Sequence, residues 1–428
     1  PSTVAPAANP LVRGWDPLAV AVRLAHERKM ELHAWCWVFA AGNTRHNALL
    51  SQGNDFPGPV IAAHPDWAQQ DRRGNLRPLG QPETWLDPAN PEVRSYLTAL
   101  YSEIVERYQV DGLQLDYIRY PLQKAAPQYF GYGTAARAGF QQLTGVDPAV
   151  LSPQTDPSLW AMWVRYRTEK VTSFVSELSE GLRRIRPELV LSAAVWPQPN
   201  AERVRNLQQD WETWVRNGTV DLLVPMTYSL NTRRLQQLVE PVLEGVKDSP
   251  VLFLPSLNLM SLPQVQLRDQ LQAIRDLPAG GYSLFAMAHL GDNHEQLLGQ
   301  ASSSSKLLPF RDPLHTAVER FSALTKEWDF LLANKQILLT PGTQGNWQAQ
   351  AKRTQAALET LAREPSPGWL RTAREEIART RSALHGWLNL EAGLRPYRVS
   401  TWDNRLQSLD SLLRYTELRL GRLAKSGR

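Results

Sequence analysis

A carboxylate that closes an apolar run, followed at once by aromatics and an arginine, is the chemically most informative feature of this sequence. The run is VDGLQLDYIRYP at 110–121, which ends its apolar part at Asp116 and continues through Tyr117, Arg119 and Tyr120. Alternate residues of a strand share a face, so Gly112, Gln114 and Asp116 fall on one side and Leu113 and Leu115 on the other. Helices covering the leucine side leave Asp116 facing inward at the carboxyl end of the strand. In α/β barrels that end is the catalytic face. Asp111, at the opposite end, reads as a structural cap.

The run ELHAWCWVF at 31–39 alternates in the same way and sets His33, Trp35 and Trp37 on one face. A core built for stability alone favours Val, Ile and Leu, whereas two tryptophans and a histidine suit stacking on sugar rings and hydrogen bonding to hydroxyls. Three later runs end in comparable groups: LSAAVW in Trp196, VPMTY in Tyr228 and GGYSLFAMAH in His289. Glycoside hydrolysis needs two carboxyl groups, one to protonate the leaving oxygen and one to act as nucleophile or base. Asp210 in NLQQDWETW is the candidate for the second, with Glu202 in the same connection as the alternative. Asp221 begins its strand and belongs to the inert end. No Gly-x-Gly-x-x-Gly, phosphate-loop or Gly-x-Ser-x-Gly motif occurs, and His64 and His289 are isolated in sequence. Neither a cofactor nor a metal is therefore expected.

The elements that position these groups follow from periodicity. Six strand-like runs, at 30–39, 110–118, 189–196, 220–228, 251–258 and 280–289, alternate with helix-like segments such as 16–29, 90–108 and 159–185. This is the pattern of βα units around a parallel sheet. Asp16-Pro17 and Asn90-Pro91 supply an N-cap followed by proline at the first helical position. Beyond residue 310 the pattern is helical: apolar repeats at 347–364, 369–390 and 402–425 are separated by TPGTQG, PSPG and GLRPYRVS. Ser400 and Asp403 carry the capping-box spacing that would open the last helix. The expected organisation is a domain of (β/α) units over 1–310 and a helical bundle over 311–428.

Composition narrows the function classes. A chain of 428 residues exceeds what one hydrophobic core usually serves, and no window approaches the ~18 uninterrupted apolar residues of a membrane span. The net charge of +5 is unevenly placed: residues 311–428 hold 19 Lys and Arg against 12 Asp and Glu, and residues 1–310 hold 28 against 30. With no arginine-rich run or zinc-knuckle spacing, nucleic acid is not an expected partner. The lone Cys36 excludes a disulfide framework.

The runs GWDPLAVAVRLAHERKMELHAWCWVF, HPDW, LDPANPEVRSYL, YQVDGLQLDYIRYP, QDWETWVRNGTVDLLVPMTY and GGYSLFAMAHL occur in an order that resembles the bacterial glycosyl hydrolase-like family ten proteins. The resemblance covers roughly residues 1–300. It implies a (β/α)8 TIM barrel and an O-glycoside hydrolase of the cell envelope, acting on a polysaccharide such as peptidoglycan glycan strands lacking stem peptides. Asp116 matches the family's strand-end aspartate, Arg119-Tyr120-Pro121 its basic-aromatic-proline signature, and Asp210-Trp211 its later Asp-Trp pair. Gln114 stands where the family often has histidine, which removes a titrating group. The opening PSTVAPAANPLVRGWDP resembles the loop after the family's second strand, so a barrel lacking its first two strands is expected in this chain, with the position of any signal segment lost. Asp116 is expected as nucleophile or charge stabiliser and Asp210 as acid, with His33, Trp35, Trp37, Gln114, Tyr117, Arg119, Tyr120, Trp196, Tyr228 and His289 binding the glycan. The alternative is a glycan-binding protein without turnover on the same scaffold. For the basic tail two roles stand open: docking against the barrel, or peripheral contact with anionic envelope polymers.

Overall fold

The computed structural model describes residues 15–123, 129–301 and 307–425. These fall into two compact units, 1–220 and 221–428. The expected change of character near residue 310 lies inside the second. Most of the opening segment read as a strand-following loop, residues 1–14, lies outside the described residues.

In the first unit, α1 (Pro17–Glu27) starts as its sequence dictates, with the Asp16 carboxylate accepting the Leu18 and Ala19 N–H groups. Then follow β1 (His33–Trp37), β2 (Ala40–Asn43), α2 (Thr44–Asn47), α3 (Pro59–Ala63) and β3 (Glu83–Trp85). Next come α4 (Pro91–Arg107), β4 (Gly112–Asp116), α5 (Thr134–Thr144), α6 (Pro157–Ile185), β5 (Val190–Val195), α7 (Asn200–Leu207) and α8 (Trp211–Arg216). Asn90 caps α4 through the Glu92 and Val93 N–H groups. β4 is the middle strand of a parallel trio: Gly112 lies opposite His33 of β1 and Val190 of β5, and Asp116 opposite Trp37. β2 and β3 form a separate antiparallel pair joining Asn43 to Glu83.

Burial follows the predicted alternation. Leu113 and Leu115 are fully buried, together with Val93, Val105, Val171, Phe174 and Leu178 of the two long helices. Each such side chain contributes about 1.5–3 kcal/mol by leaving water, and the outcome is a β4 whose backbone is fixed while its other face is free for polar groups. Gly112 is required by that packing, because an added Cβ would press into the Val190 carbonyl oxygen and lie 2.6 Å from His33 Nδ1. At the lower end of β4, Asp111 is the structural cap the sequence suggests, accepting from Leu32 N at 2.8 Å and lying 2.9 Å from His26 Nε2.

The second unit holds β6 (Leu222–Pro225), α9 (Thr232–Val246), β7 (Leu252–Phe253), β8 (Ser256–Asn258), α10 (Gln264–Arg275), β9 (Ser283–Phe285) and α11 (Asp292–Ala301). β6 pairs with β7, and β8 with β9, both in parallel. The helical region follows as α12 (Pro313–Ala333), α13 (Gln344–Arg363), α14 (Pro367–Trp387), α15 (Asn389–Leu394) and α16 (Pro396–Lys425). Its core stacks Trp328 edge-on to Trp347 at 4.6 Å and buries Leu406, Leu409, Leu412 and Leu413. The capping-box expectation is corrected here. α16 begins at Pro396, not Ser400, because proline fits the first turn of a helix, where its missing N–H has no partner to lose. Asp403 is released from capping and pairs with Arg381 at 2.8 Å. The tail is tied to the rest of its unit by Arg422 to the buried Asp221, Arg414 to Asp248, and Asn404 to the Asp276 carbonyl.

Candidate active site

Asp116 ends β4 with both carboxylate oxygens engaged by donors that suit its ionised form. Trp35 Nε1 donates to Oδ2 at 3.1 Å, reaching along β1 from its register partner Gln114. The Tyr117 N–H donates to Oδ1 at 2.7 Å. For that the chain turns sharply: Tyr117 has φ of 50°, a left-handed conformation that costs a residue with a side chain on the order of 1–3 kcal/mol and concentrates at functional sites. Burial pushes the Asp116 carboxyl above the ordinary carboxylate range; the Tyr117 N–H, the Arg119 charge and the Trp35 N–H pull the other way. The result is a carboxylate more basic than usual but held in place by two N–H groups.

Arg119 is the cation of the site. It is buried and lies over three rings, 5.0 Å from Tyr117, 5.1 Å from Trp85 and 5.6 Å from Trp196, within cation–π range. Burial lowers its pKa, and the charges of Asp116, Tyr117 and Glu83 oppose this. The Tyr117 ring packs 4.5 Å from Trp37 and 5.5 Å from Trp85. The aromatic wall continues to Trp35, which is 54% exposed. The arrangement sets a flat, half-exposed indole face directly beside a strand-end carboxylate, a geometry on which a sugar ring can stack.

The other predicted residues are placed as follows. His33 stands toward the start of β1, its Nε2 3.0 Å from Glu31. Gln114 accepts the Ser192 hydroxyl between β4 and β5. Trp196 donates its backbone N–H to Gln209 Oε1 at 2.9 Å. Tyr120 is wholly buried with Arg167 over its ring at 5.6 Å, so its hydroxyl does not face solvent. Asp210 accepts from Asn200 at 3.0 Å and Thr213 at 2.6 Å at the start of α8. Tyr228 and His289 belong to the second unit, where Tyr228 stacks on Phe285 at 5.8 Å. Two residues absent from the sequence-derived site are brought to it by β3: Trp85, whose ring faces Tyr117 and Arg119, and Glu83, whose charge acts on both. Their only sequence signal was an acidic residue and a tryptophan two apart in ETW. Among the described residues, no cluster of three or more His, Cys, Asp or Glu is gathered as a metal ion would need.

A family model described as Glycosyl hydrolase-like 10 matches residues 6–272. The chain belongs to this family. Among curated proteins of similar sequence are the glycosyl hydrolase DigH of Escherichia coli, 26% identical over 235 residues, and the glycosyl hydrolase YngK of Bacillus subtilis, 23% identical over 255. The matches take in 50% and 56% of this chain but 46% and 44% of the relatives, so this glycosyl hydrolase-like 10 chain aligns with under half the length of either. A solved structure, the PgaB (BpsB) glycoside hydrolase domain from Bordetella bronchiseptica, superposes with a TM-score of 0.50 at 18% identity, covering 66% of this chain and 80% of that one. That likeness establishes an α/β fold of the TIM-barrel type, to which a C-terminal helical region is added. Asp116, Arg119, Trp85 and Trp35 all lie within the family-matched residues.

Proposed function

We propose that the protein is an O-glycoside hydrolase acting on a bacterial envelope polysaccharide, in the cell envelope or outside the cell. Peptidoglycan glycan strands lacking stem peptides are the first substrate to test. The observation that carries this reading is Asp116 itself: a half-buried strand-end carboxylate, made more basic by its surroundings, held by the Tyr117 N–H and by the indole of the exposed Trp35. The glycosyl hydrolase names of the relatives support it. Residues 1–310 are proposed to carry this activity and 311–428 to brace it.

In the proposed reaction a sugar ring stacks on Trp35 and its anomeric carbon meets Asp116, which acts as nucleophile or stabilises the oxocarbenium charge. The role requires the carboxylate, so turnover should fall as pH drops through its raised pKa. Asp210 is the proposed acid, for which Asn200 and Thr213 must release its oxygens as substrate enters. The second reading, glycan binding without turnover, draws on that same engagement of Asp210. Incubating the protein with intact peptidoglycan, peptide-stripped glycan strands and other envelope polysaccharides, then measuring new reducing ends, decides between the two. Release from one of them supports hydrolysis; retention on a glycan with no release supports binding alone.

A further inference from the structure

Asp116 closes β4 and Asp210 opens α8, so their separation depends on how the loop after β4 meets the turn between α7 and α8. That seam is built from hydrogen bonds. The Asn206 carbonyl accepts from Gln123 N at 3.0 Å and the Leu207 carbonyl from Tyr120 N at 2.9 Å. Gln208 is wholly buried with φ of 50°. Its Oε1 accepts from Gln123 Nε2 at 2.8 Å, while its Nε2 donates to the Val204 and Arg205 carbonyls in the last turn of α7. A left-handed residue with a side chain persists only where its surroundings over-determine it, and such residues cluster at functional sites.

Gln209, the residue before Asp210, joins this seam to the ends of both strands. It too is wholly buried. Its Oε1 accepts the Trp196 backbone N–H at 2.9 Å, just past β5, and its Nε2 donates to the Ile118 carbonyl at 3.3 Å, two residues past Asp116. The partners fix which end of the carboxamide is which, since an N–H needs an acceptor and a carbonyl a donor. The Gln209 carbonyl accepts from Arg203 Nε at 2.6 Å, and the same guanidinium donates to the Gln198 carbonyl at 2.5 Å. Trp211 Nε1 closes the ring by donating to the Trp196 carbonyl at 3.1 Å. From Asp116 to Asp210 the path is therefore a short stretch of backbone, one hydrogen bond and one side chain.

We propose that Gln209 is a positioning residue that fixes the separation of Asp116 and Asp210 by tying the loop after β4 to the end of β5. The proposal deepens the hydrolase reading above and rests on it for its catalytic meaning. In glycoside hydrolysis the gap between the two carboxyl groups decides whether a water fits between them, and a misplacement of about 1 Å can cost about a hundredfold in rate. Glutamine suits the task because it offers a donor and an acceptor together and brings no charge into a buried place.

The test has a readout that works without turnover. In full-length Gln209→Met, which keeps the length of the side chain and loses both hydrogen bonds, amide hydrogen exchange should quicken at Trp196. It should also quicken about tenfold or more at Tyr120 and Gln123, whose N–H groups are bonded to Leu207 and Asn206 and not to Gln209. The amides of Leu97 and Val105 in the buried face of α4 should keep their wild-type rates. Should Gln209→Met fail to fold, Gln209→Asn, one methylene too short to reach both partners, should give the same pattern at smaller size. On a glycan that is cleaved, kcat should fall about tenfold or more with KM within about twofold, because the aromatic wall on β1 is untouched. Unchanged exchange at Tyr120 and Gln123, a rise that extends equally through α4, or an unchanged kcat overturns the proposal. A wild-type protein that cleaves no glycan refutes the hydrolase reading, and the exchange pattern still decides whether Gln209 holds the two loops together.

Discussion

Gly112→Ala tests whether the site is built on the close packing of β4 between its neighbours. The added methyl would press on the Val190 backbone carbonyl and lie 2.6 Å from His33 Nδ1 and 2.8 Å from His33 Cε1. His33 has little room to retreat, since its Nε2 is 3.0 Å from Glu31, and the carbonyl belongs to a strand paired with β4. Overpacking of this kind costs about 1–3 kcal/mol, with backbone contact placing it at the upper end. The smaller unfolded-state entropy of alanine returns only about 0.4–1 kcal/mol. A net loss of roughly 2 kcal/mol should lower Tm by about 4–8 °C in a unit of this size. Calorimetry on Gly112→Ala beside Gly53→Ala, whose Cβ would enter open space, measures this directly. Turnover should fall as well, since Gln114 and Asp116 ride on the displaced strand. A Gly112→Ala protein melting with the wild type would refute the argument that β4 is fixed by contact at this residue.

Two other consequences concern stability. Asp87 is fully buried and burial raises its pKa from 3.8 to about 6, against the Ala89 and Ala136 N–H groups. The folded state therefore binds the proton more tightly than the unfolded chain. Stability should fall as pH rises from about 4 to about 6, by about 3 kcal/mol once the group is ionised. Urea melts at pH 4.5 and pH 7 should show about 2 kcal/mol of this drop in the wild type and none of it in Asp87→Asn. Deleting residues 311–428 should abolish soluble accumulation of the remainder, because it strips Arg422 from the buried Asp221 and Arg414 from Asp248. Loss of a cation from a buried carboxylate costs about 3–5 kcal/mol. A stable, soluble 1–310 fragment that loses salt-sensitive binding to envelopes would favour the targeting role instead.

What the sequence disclosed of the site came from strand alternation. The two-residue period of GLQLD and HAWCW suffices to set Asp116, Trp35 and Trp37 on one face, and the structure joins Trp35 to Asp116. Glu83 and Trp85 escaped because β3 has three residues within a long connection and shows no period to read. Tyr120 looked like a neighbour of Arg119 in sequence, but the left-handed turn at Tyr117 redirects the chain, and Tyr120 is buried. At the far end, Pro396 overrode the Ser400 capping spacing, since a helix that can start on proline four residues earlier has no use for the later cap.

The most direct test of the central claim is the turnover of Asp116→Asn on the polysaccharide that the wild type cleaves. Asparagine keeps the shape of the side chain and an acceptor for the Tyr117 N–H, but removes the charge. Loss of a preorganised charge of this kind costs about a hundredfold or more in kcat, while retention on the insoluble glycan should persist, because Trp35 and the aromatic wall are intact. Reducing-end release by Asp116→Asn within a few-fold of the wild type would contradict the assignment of Asp116 as the group on which the chemistry depends.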